Sequence, residues 1–380
     1  MTDSAGPEAA SLIHSPLHDR HVGLGAKFAP FGGWDMPLEY AGGGVIAEHT
    51  AVRESVGLFD VSHLGTAVVA GPEAVNELNA VLSNDLRRIG AGQAQYTLLL
   101  NDQGGVIDDL IAYYVSNDEV LIIPNASNSA EVLDVIERAV PGRIEVDDRH
   151  RDIAILAVQG PKSADVLTAV GLEPELDYMA FEVREWEDIF VTVCRTGYTG
   201  EHGYEILVAA NHAARLWDDL AAAVVEAGGR PAGLAARDTL RTEMGYPLHG
   251  QDLSPTINPV EAGSSWAVGW DKDRFHGREA VLSVKQQGPT RRLRGLRMID
   301  RGVPRAHMVV RYPATDGGLD GPAAGEVTSG THSPTLREGI ALALLDSGIA
   351  VGDELVLDVR GRATKVVVTK LPFVDSHVRD

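Results

Sequence analysis

Two stretches of the chain echo each other, and that echo limits the architecture more than any other feature. "TAVVAGPEAVNELNAVL" (66–82) and "IAILAVQGPKSADVLTAV" (153–170) both run from an apolar strand through Gly-Pro into an amphipathic helix. The glycine lets the chain reverse, and the fixed φ of proline suits a first helical turn. Strand-like runs follow each helix: "QYTLLL", "VIDDLIAYYV" and "EVLIIP" in the first unit, "FEVREW", "IFVTVCRTG" and "GYEILV" in the second. Each unit closes on a helical pattern, "NSAEVLDVIERAV" or "HAARLWDDLAAAVVEAG". The expectation is two related α+β units, at roughly 60–145 and 150–228, since two copies are too few for a solenoid.

The remaining length needs a further core, because 380 residues exceed one ordinary domain. "GLAARDTLRTEMGYPLHGQDL" begins as a short helix and turns to loop, and Gln-Gln-Gly-Pro at 286–289 marks a linker. Beyond it "LRGLRMI", "MVVRYP", "GIALALL", "ELVLDV" and "TKVVVTKL" alternate with Gly, Pro and Asp. That texture predicts a small all-β barrel over 289–380, after an α+β region over 1–288.

Composition excludes several classes. A net charge of −21 disfavours nucleic-acid binding. No apolar run reaches the length of a membrane span. The single cysteine, Cys194, rules out a disulfide framework, and Asp3 and Glu8 precede the first arginine without an apolar leader core. A cytoplasmic protein is expected. Dinucleotide, P-loop and His-Glu-x-x-His patterns are absent. His14, His18 and His21 lack an acidic or cysteine partner at ligand spacing, so surface histidines and no metal are expected.

Few polar residues resist a structural explanation. Asp108 and Asp109 interrupt an apolar strand run, and alternation lets only one of them share a face with a given site; both could equally cap the strand near solvent. Asn125 fits an N-cap. Glu205 stands in the strand "GYEILV" behind three glycines, Gly197, Gly200 and Gly203, and Arg237 lies on a first helical turn. The two could form an ion pair, or they could grip a planar heterocycle, the carboxylate accepting paired N–H bonds and the guanidinium fork donating. Tyr96, Tyr178, Tyr198 and Trp266 could stack on such a ring or simply fill a core.

"FGGWDMPLEY", "EHTAVRESVGLFDVSHLG", "NDQGGVIDDL", "AVQGP", "RTGYTGEHGYEI", "GLAARDTLRTEMGYPLHGQDL" and "TSGTHSPTL", in this order, resemble the aminomethyltransferase (T-protein) family of the glycine cleavage system, over about residues 15–375. The resemblance implies a three-domain cloverleaf: two folate-binding lobes, one ferredoxin-like, and a C-terminal barrel around a channel for tetrahydrofolate. It implies transfer of the aminomethyl carbon carried on the lipoyl arm of H-protein to tetrahydrofolate, giving 5,10-methylenetetrahydrofolate and ammonia. The family's catalytic aspartate falls on Asp108, the first of the pair, where an ionised carboxylate would assist proton removal. Glu205 and Arg237 fall on the pterin edge, Tyr96, Asn125 and Tyr198 on the pocket, and Tyr178 and Trp266 match less closely.

The resemblance leaves rivals of the same fold. A folate-dependent demethylase acting on another methyl donor is the main one. An iron–sulfur and tRNA-modification factor is disfavoured because its Lys-Gly-Cys motif is missing, and a flavin fusion because its dinucleotide fingerprint is missing. A non-enzymatic folate-binding protein is disfavoured by Asp108. The arginines of "RRLRGLR" (291–297) are a candidate carrier-docking patch, or an exposed strand face.

Overall fold

A computed structural model describes residues 12–172, 175–315 and 318–380; the leader argument from Asp3 and Glu8 lies outside them. The described chain opens with β1 (Ile13–His14), α1 (His18–Gly23), β2 (Lys27–Phe31) and β3 (Trp34–Glu39), in a three-stranded sheet of order β1-β3-β2. Helix α2 (Gly44–Glu54) and strand β4 (Gly57–Asp60) lead into the repeated units.

The first unit comprises β5 (Ala67–Ala70), α3 (Ala74–Asn79), β6 (Gln93–Leu100), β7 (Val106–Ser116), β8 (Glu119–Ile123), α4 (Ser129–Ala139) and β9 (Glu145–Asp148). The second comprises β10 (Ile153–Gln159), α5 (Ser163–Ala169), β11 (Phe181–Trp186), β12 (Ile189–Cys194), β13 (Gly203–Ala209), α6 (Ala213–Glu226) and β14 (Arg230–Pro231). Their sheets run β6-β7-β8-β5-β9 and β11-β12-β13-β10-β4-β14. The connectivity is the same, except that β4, supplied by the preceding chain, is inserted before the last strand of the second sheet. The echo is therefore a duplicated fold.

The Gly-Pro turns match in detail. Gly71 and Gly160 have φ of +141° and +136°, and their carbonyls accept the amides of Ala74 (3.1 Å) and Ser163 (3.0 Å). The helices begin two residues after Pro72 and Pro161, so proline stiffens the preceding turn and lies just outside the first helical turn expected for it.

Helices cover one face of each sheet. Val69, Leu110, Ala112 and Ile122 meet α3 and α4 in one core; Leu156, Val193, Ile206 and Val208 meet α5 and α6 in another. The uncovered faces turn toward each other, joining Tyr113 and Ile123 with Phe59, Ile155 and Leu207, and α7 (Leu234–Met244) adds Ala236 and Leu240. Burial on both faces explains the near-continuous apolar runs.

A helix that the sequence reading missed, α8 (Arg278–Gln287), absorbs two residues of the expected linker. The barrel follows as β15 (Arg291–Met298), β16 (Val309–Arg311), β17 (Ala323–Ser333), β18 (Glu338–Asp346), β19 (Glu354–Val359) and β20 (Arg362–Thr369), closed in the order β15-β18-β17-β16-β19-β20. The α+β lobes and all-β barrel agree with the expected fold class. β17 was not expected, because "AAGEVTSGTHS" has little of the apolar alternation that marks a strand. Arg291 and Arg297 are ion-paired with Glu261 and Glu338, which leaves less of a free basic patch than their spacing suggested. Among the described residues no helix is long and apolar enough to cross a membrane.

Candidate active site

A cavity of about 840 Å³ opens where the two uncovered sheet faces, α7 and barrel strand β17 converge. Strand alternation decides which of the paired aspartates reaches it. On β7, Asp109, Ile111 and Tyr113 line the cavity; Leu110 also touches its wall but packs, with Ala112, in the helix-covered core. Asp109 is thus on the cavity wall, and Asp108, on which the resemblance places the catalytic role, is not. Asp108 has no exposed surface and lies on the helix side. It is not a cap near solvent: it accepts the Asn125 amide N–H (2.9 Å), Asn125 Nδ2 (2.9 Å) and Asn128 Nδ2 (2.6 Å), just before α4.

The two carboxylates form one unit. Asn125 Nδ2 also reaches Asp109 Oδ1 at 3.0 Å, and Tyr96 Oη donates to Asp109 Oδ2 at 3.0 Å. Burial and the Asp109 charge push the Asp108 carboxyl up to about 8. Burial also raises Asp109, although the hydrogen bonds from the Tyr96 hydroxyl and Asn125 oppose it. Two adjacent buried carboxylates resist joint ionisation, so the pair keeps a proton at neutral pH and a simple ionised Asp108 is not what this environment favours. Behind them a relay fixes the geometry: His249 Nε2 donates to the Val106 carbonyl (2.9 Å), leaving Nδ1 to accept from Asn128 Nδ2 (2.9 Å).

Glu205 faces the cavity by the same rule, since Tyr204 and Ile206 on β13 point to the helix-covered core. Its Oε2 accepts Thr196 Oγ1 at 2.6 Å. Arg237 Nη2 stands 3.9 Å from Glu205 Oε1, within ionic range but beyond a hydrogen bond. The guanidinium lies over the Tyr198 ring at 5.0 Å, and its buried Nη1 has no hydrogen-bond partner. One turn later Arg241 anchors α7 to the barrel side through Asp252 (2.8 Å) and Ser329 (2.8 Å), which holds Arg237 in place. The glycines before β13 serve this wall unequally. Gly200 needs its φ of +84°, whereas side chains at Gly197 or Gly203 would collide with Gln159, whose amide ties Thr196 to Tyr204.

All the aromatic candidates reach the cavity. Tyr96 stacks on Trp266 with centroids 5.1 Å apart, and Trp266 is 66% exposed, an unusual position for a core residue. Tyr198 stacks on Tyr246 and donates to the Pro247 carbonyl; Tyr178 lies beneath the Arg379 guanidinium. Missed by the sequence reading were Asn128 and His249, both inside quoted motifs, and His63. His63 lines the cavity with an unpartnered Nδ1, and burial together with Arg237 pushes it down to about 3, so it is a neutral imidazole. Of the three N-terminal histidines, His21 is not at the surface: it is buried between Asp60 Oδ2 (2.8 Å) and Tyr40 Oη (2.9 Å).

Comparison with known proteins decides the family. The GCVT N-terminal domain matches residues 17–272, and the glycine cleavage T-protein C-terminal barrel domain matches 291–375. The chain belongs to the aminomethyltransferase (T-protein) family of the glycine cleavage system. It is 57% identical to the aminomethyltransferase of Parafrankia sp. (strain EAN1pec), over 97% of this chain and 99% of that one. It is 55% identical to that of Mycobacterium tuberculosis (strain ATCC 25618 / H37Rv), over 98% and 100%. The crystal structure of the glycine cleavage system aminomethyltransferase T from Bartonella henselae superposes with a TM-score of 0.90 at 34% identity, covering 97% of this chain and 100% of that one. The chain is thus an aminomethyltransferase of that system, with the lobes-and-barrel fold of its relatives.

Proposed function

We propose that this aminomethyltransferase moves the one-carbon unit from aminomethylated lipoyl H-protein to tetrahydrofolate, giving 5,10-methylenetetrahydrofolate and ammonia, in the cytoplasm. The observation that carries the folate assignment is the Glu205–Arg237 pair. A buried carboxylate and a half-buried guanidinium, 3.9 Å apart and beyond hydrogen-bond reach of each other, both line a cavity whose occupant they could grip as a planar heterocycle. Glu205 would accept the amidine-like N–H edge of the pterin, and Arg237 would donate to its carbonyl and ring nitrogen. Tyr96, Trp266, Tyr198 and Tyr178 supply apolar faces that flank the ligand and exclude water.

Tetrahydrofolate supplies the nitrogens that accept the carbon. Within the protein, Asp109 is the carboxyl that can exchange a proton with the cavity, because its side chain lies on the wall. Asp108, assigned to that role by resemblance, fits better as the residue that positions Asp109 and Asn125. A carrier-borne donor suits a cavity open at one side, since a docked arm delivers the reactive group at high effective concentration and covers the opening.

The test is incubation with tetrahydrofolate and aminomethylated H-protein, with ammonia as the readout. Ammonia release that requires both components is the expected result. None from the carrier, alongside demethylation of a sulfonium or aromatic methyl donor, would replace this reading with that of a demethylase.

A further inference from the structure

The three histidines near the N-terminus separate in the fold: His21 pairs with Asp60, while His14 and His18 gather beside Asp35. His14 on β1 is the direct cross-strand partner of Asp35 on β3. His18, the first residue of α1, brings its ring beside His14, with centroids 3.8 Å apart, and packs on Phe28. One ligand-type atom from each of His14, His18 and Asp35 lies within 4.8 Å of the other two.

What sets this cluster apart is that its polar groups have nothing else to do. His21 pairs with Asp60 and Tyr40, and His249 with Asn128 and the Val106 carbonyl. None of the side chains of His14, His18 and Asp35 has a hydrogen bond or ion pair to another described residue, and His18 Nδ1 is shut away from solvent without a partner. A half-buried carboxylate is costly to leave unpartnered, and a cation shared with the two imidazoles would satisfy it.

We propose that His14, His18 and Asp35 form a divalent transition-metal site of the zinc class, separate from the folate cavity, which none of the three lines. Two imidazoles and a carboxylate are a donor set for such ions, with a fourth position open to water on the exposed His14 side. A metal bonds in the plane of each imidazole, and the two rings now lie nearly parallel, at 8°. Binding therefore requires the exposed His14 ring to turn out of the stack, while His18 stays seated on Phe28. The ion would tie β1 and α1 to β3, and the strong negative charge of the chain raises cation concentration at its surface.

The test uses the full-length chain, without a histidine tag, after chelator treatment. Zinc chloride is titrated calorimetrically into wild type, His14→Ala and Asp35→Asn, with Co²⁺ absorption as a second readout. His14→Ala removes an exposed ring from a two-residue strand, so its melting temperature in chelator should match wild type. The expected result is one Zn²⁺ equivalent present in wild type and missing from both variants, visible d–d bands in wild type alone, and a zinc-dependent rise in melting temperature that the variants lose. Equal stoichiometry in all three proteins, or no binding to wild type, overturns the site.

Discussion

Replacing Asp109 with Asn tests the assignment of proton exchange to the cavity-facing carboxyl. The substitution is nearly isosteric and leaves an amide oxygen to accept the Tyr96 hydroxyl, now bonded at 3.0 Å. One hydrogen bond is lost, that from Asn125 Nδ2, which keeps Asp108 and the Asp109 carbonyl as acceptors, so folate affinity should fall no more than roughly tenfold, the equivalent of ~1 kcal/mol. Turnover, which depends on a proton that the amide cannot exchange, should fall by about 10²–10⁴. Asp108→Asn has a different signature. Three N–H groups point at its two oxygens, so an amide must set one of its own donors against a donor, which destabilises the protein by about 1–3 kcal/mol. The burial-raised Asp108 carboxyl also favours folding below its unfolded value, and that contribution is lost as pH rises through about 8. The stability deficit of Asp108→Asn should therefore shrink in alkaline buffer. Single-turnover ammonia release, folate titration and thermal melts at pH 6 and 9 separate these effects. Near-wild-type turnover in Asp109→Asn, with turnover abolished in a stable, folate-binding Asp108→Asn, would return the catalytic role to Asp108 and refute the argument from strand faces.

Glu205→Gln keeps the Thr196 contact but removes the charge facing the cavity, and Arg237→Lys removes the fork; each should weaken tetrahydrofolate binding about ten- to a hundredfold in an equilibrium titration. Unchanged curves for both would leave only a structural ion pair. Glu243 on α7 joins α2 and the barrel through His49 (2.9 Å), Arg53 (2.8 Å) and Ser333. Burial raises its carboxyl, but these partners outweigh it and bring it down to about 2. Its stabilisation is complete above the unfolded value and is lost as pH falls toward 2, so Glu243→Gln should cost about 3 kcal/mol at pH 7 and roughly half of that at pH 3. A stability gap in denaturant melts that is independent of pH would contradict this.

Much of the architecture could be read from local pattern. Strand alternation, helical periodicity and the Gly-Pro turns are properties of short segments, and the two lobes, their duplication and most barrel strands follow from them. β17 escaped because its place is set by pairing with β16 and β18, not by its own Gly-, Ser- and Thr-rich sequence. Ordered motifs identified the family and named Glu205, Arg237 and the aromatic candidates, but tertiary structure decided how they meet. β7 is buried on both faces, so apolar content could not say whether Asp108 or Asp109 looked into the cavity; that depended on which face the helices α3 and α4 cover. Distance along the chain hid the rest. Glu205 approaches Arg237 through the packing of α7, held by Arg241, His249 reaches Asn128 from another segment, and Asp35 joins His14 only because β1 lies parallel to β3. Side-chain identity and period are local quantities, whereas a site depends on which buried faces are brought together, and that is settled only when the sheets, α7 and the barrel pack.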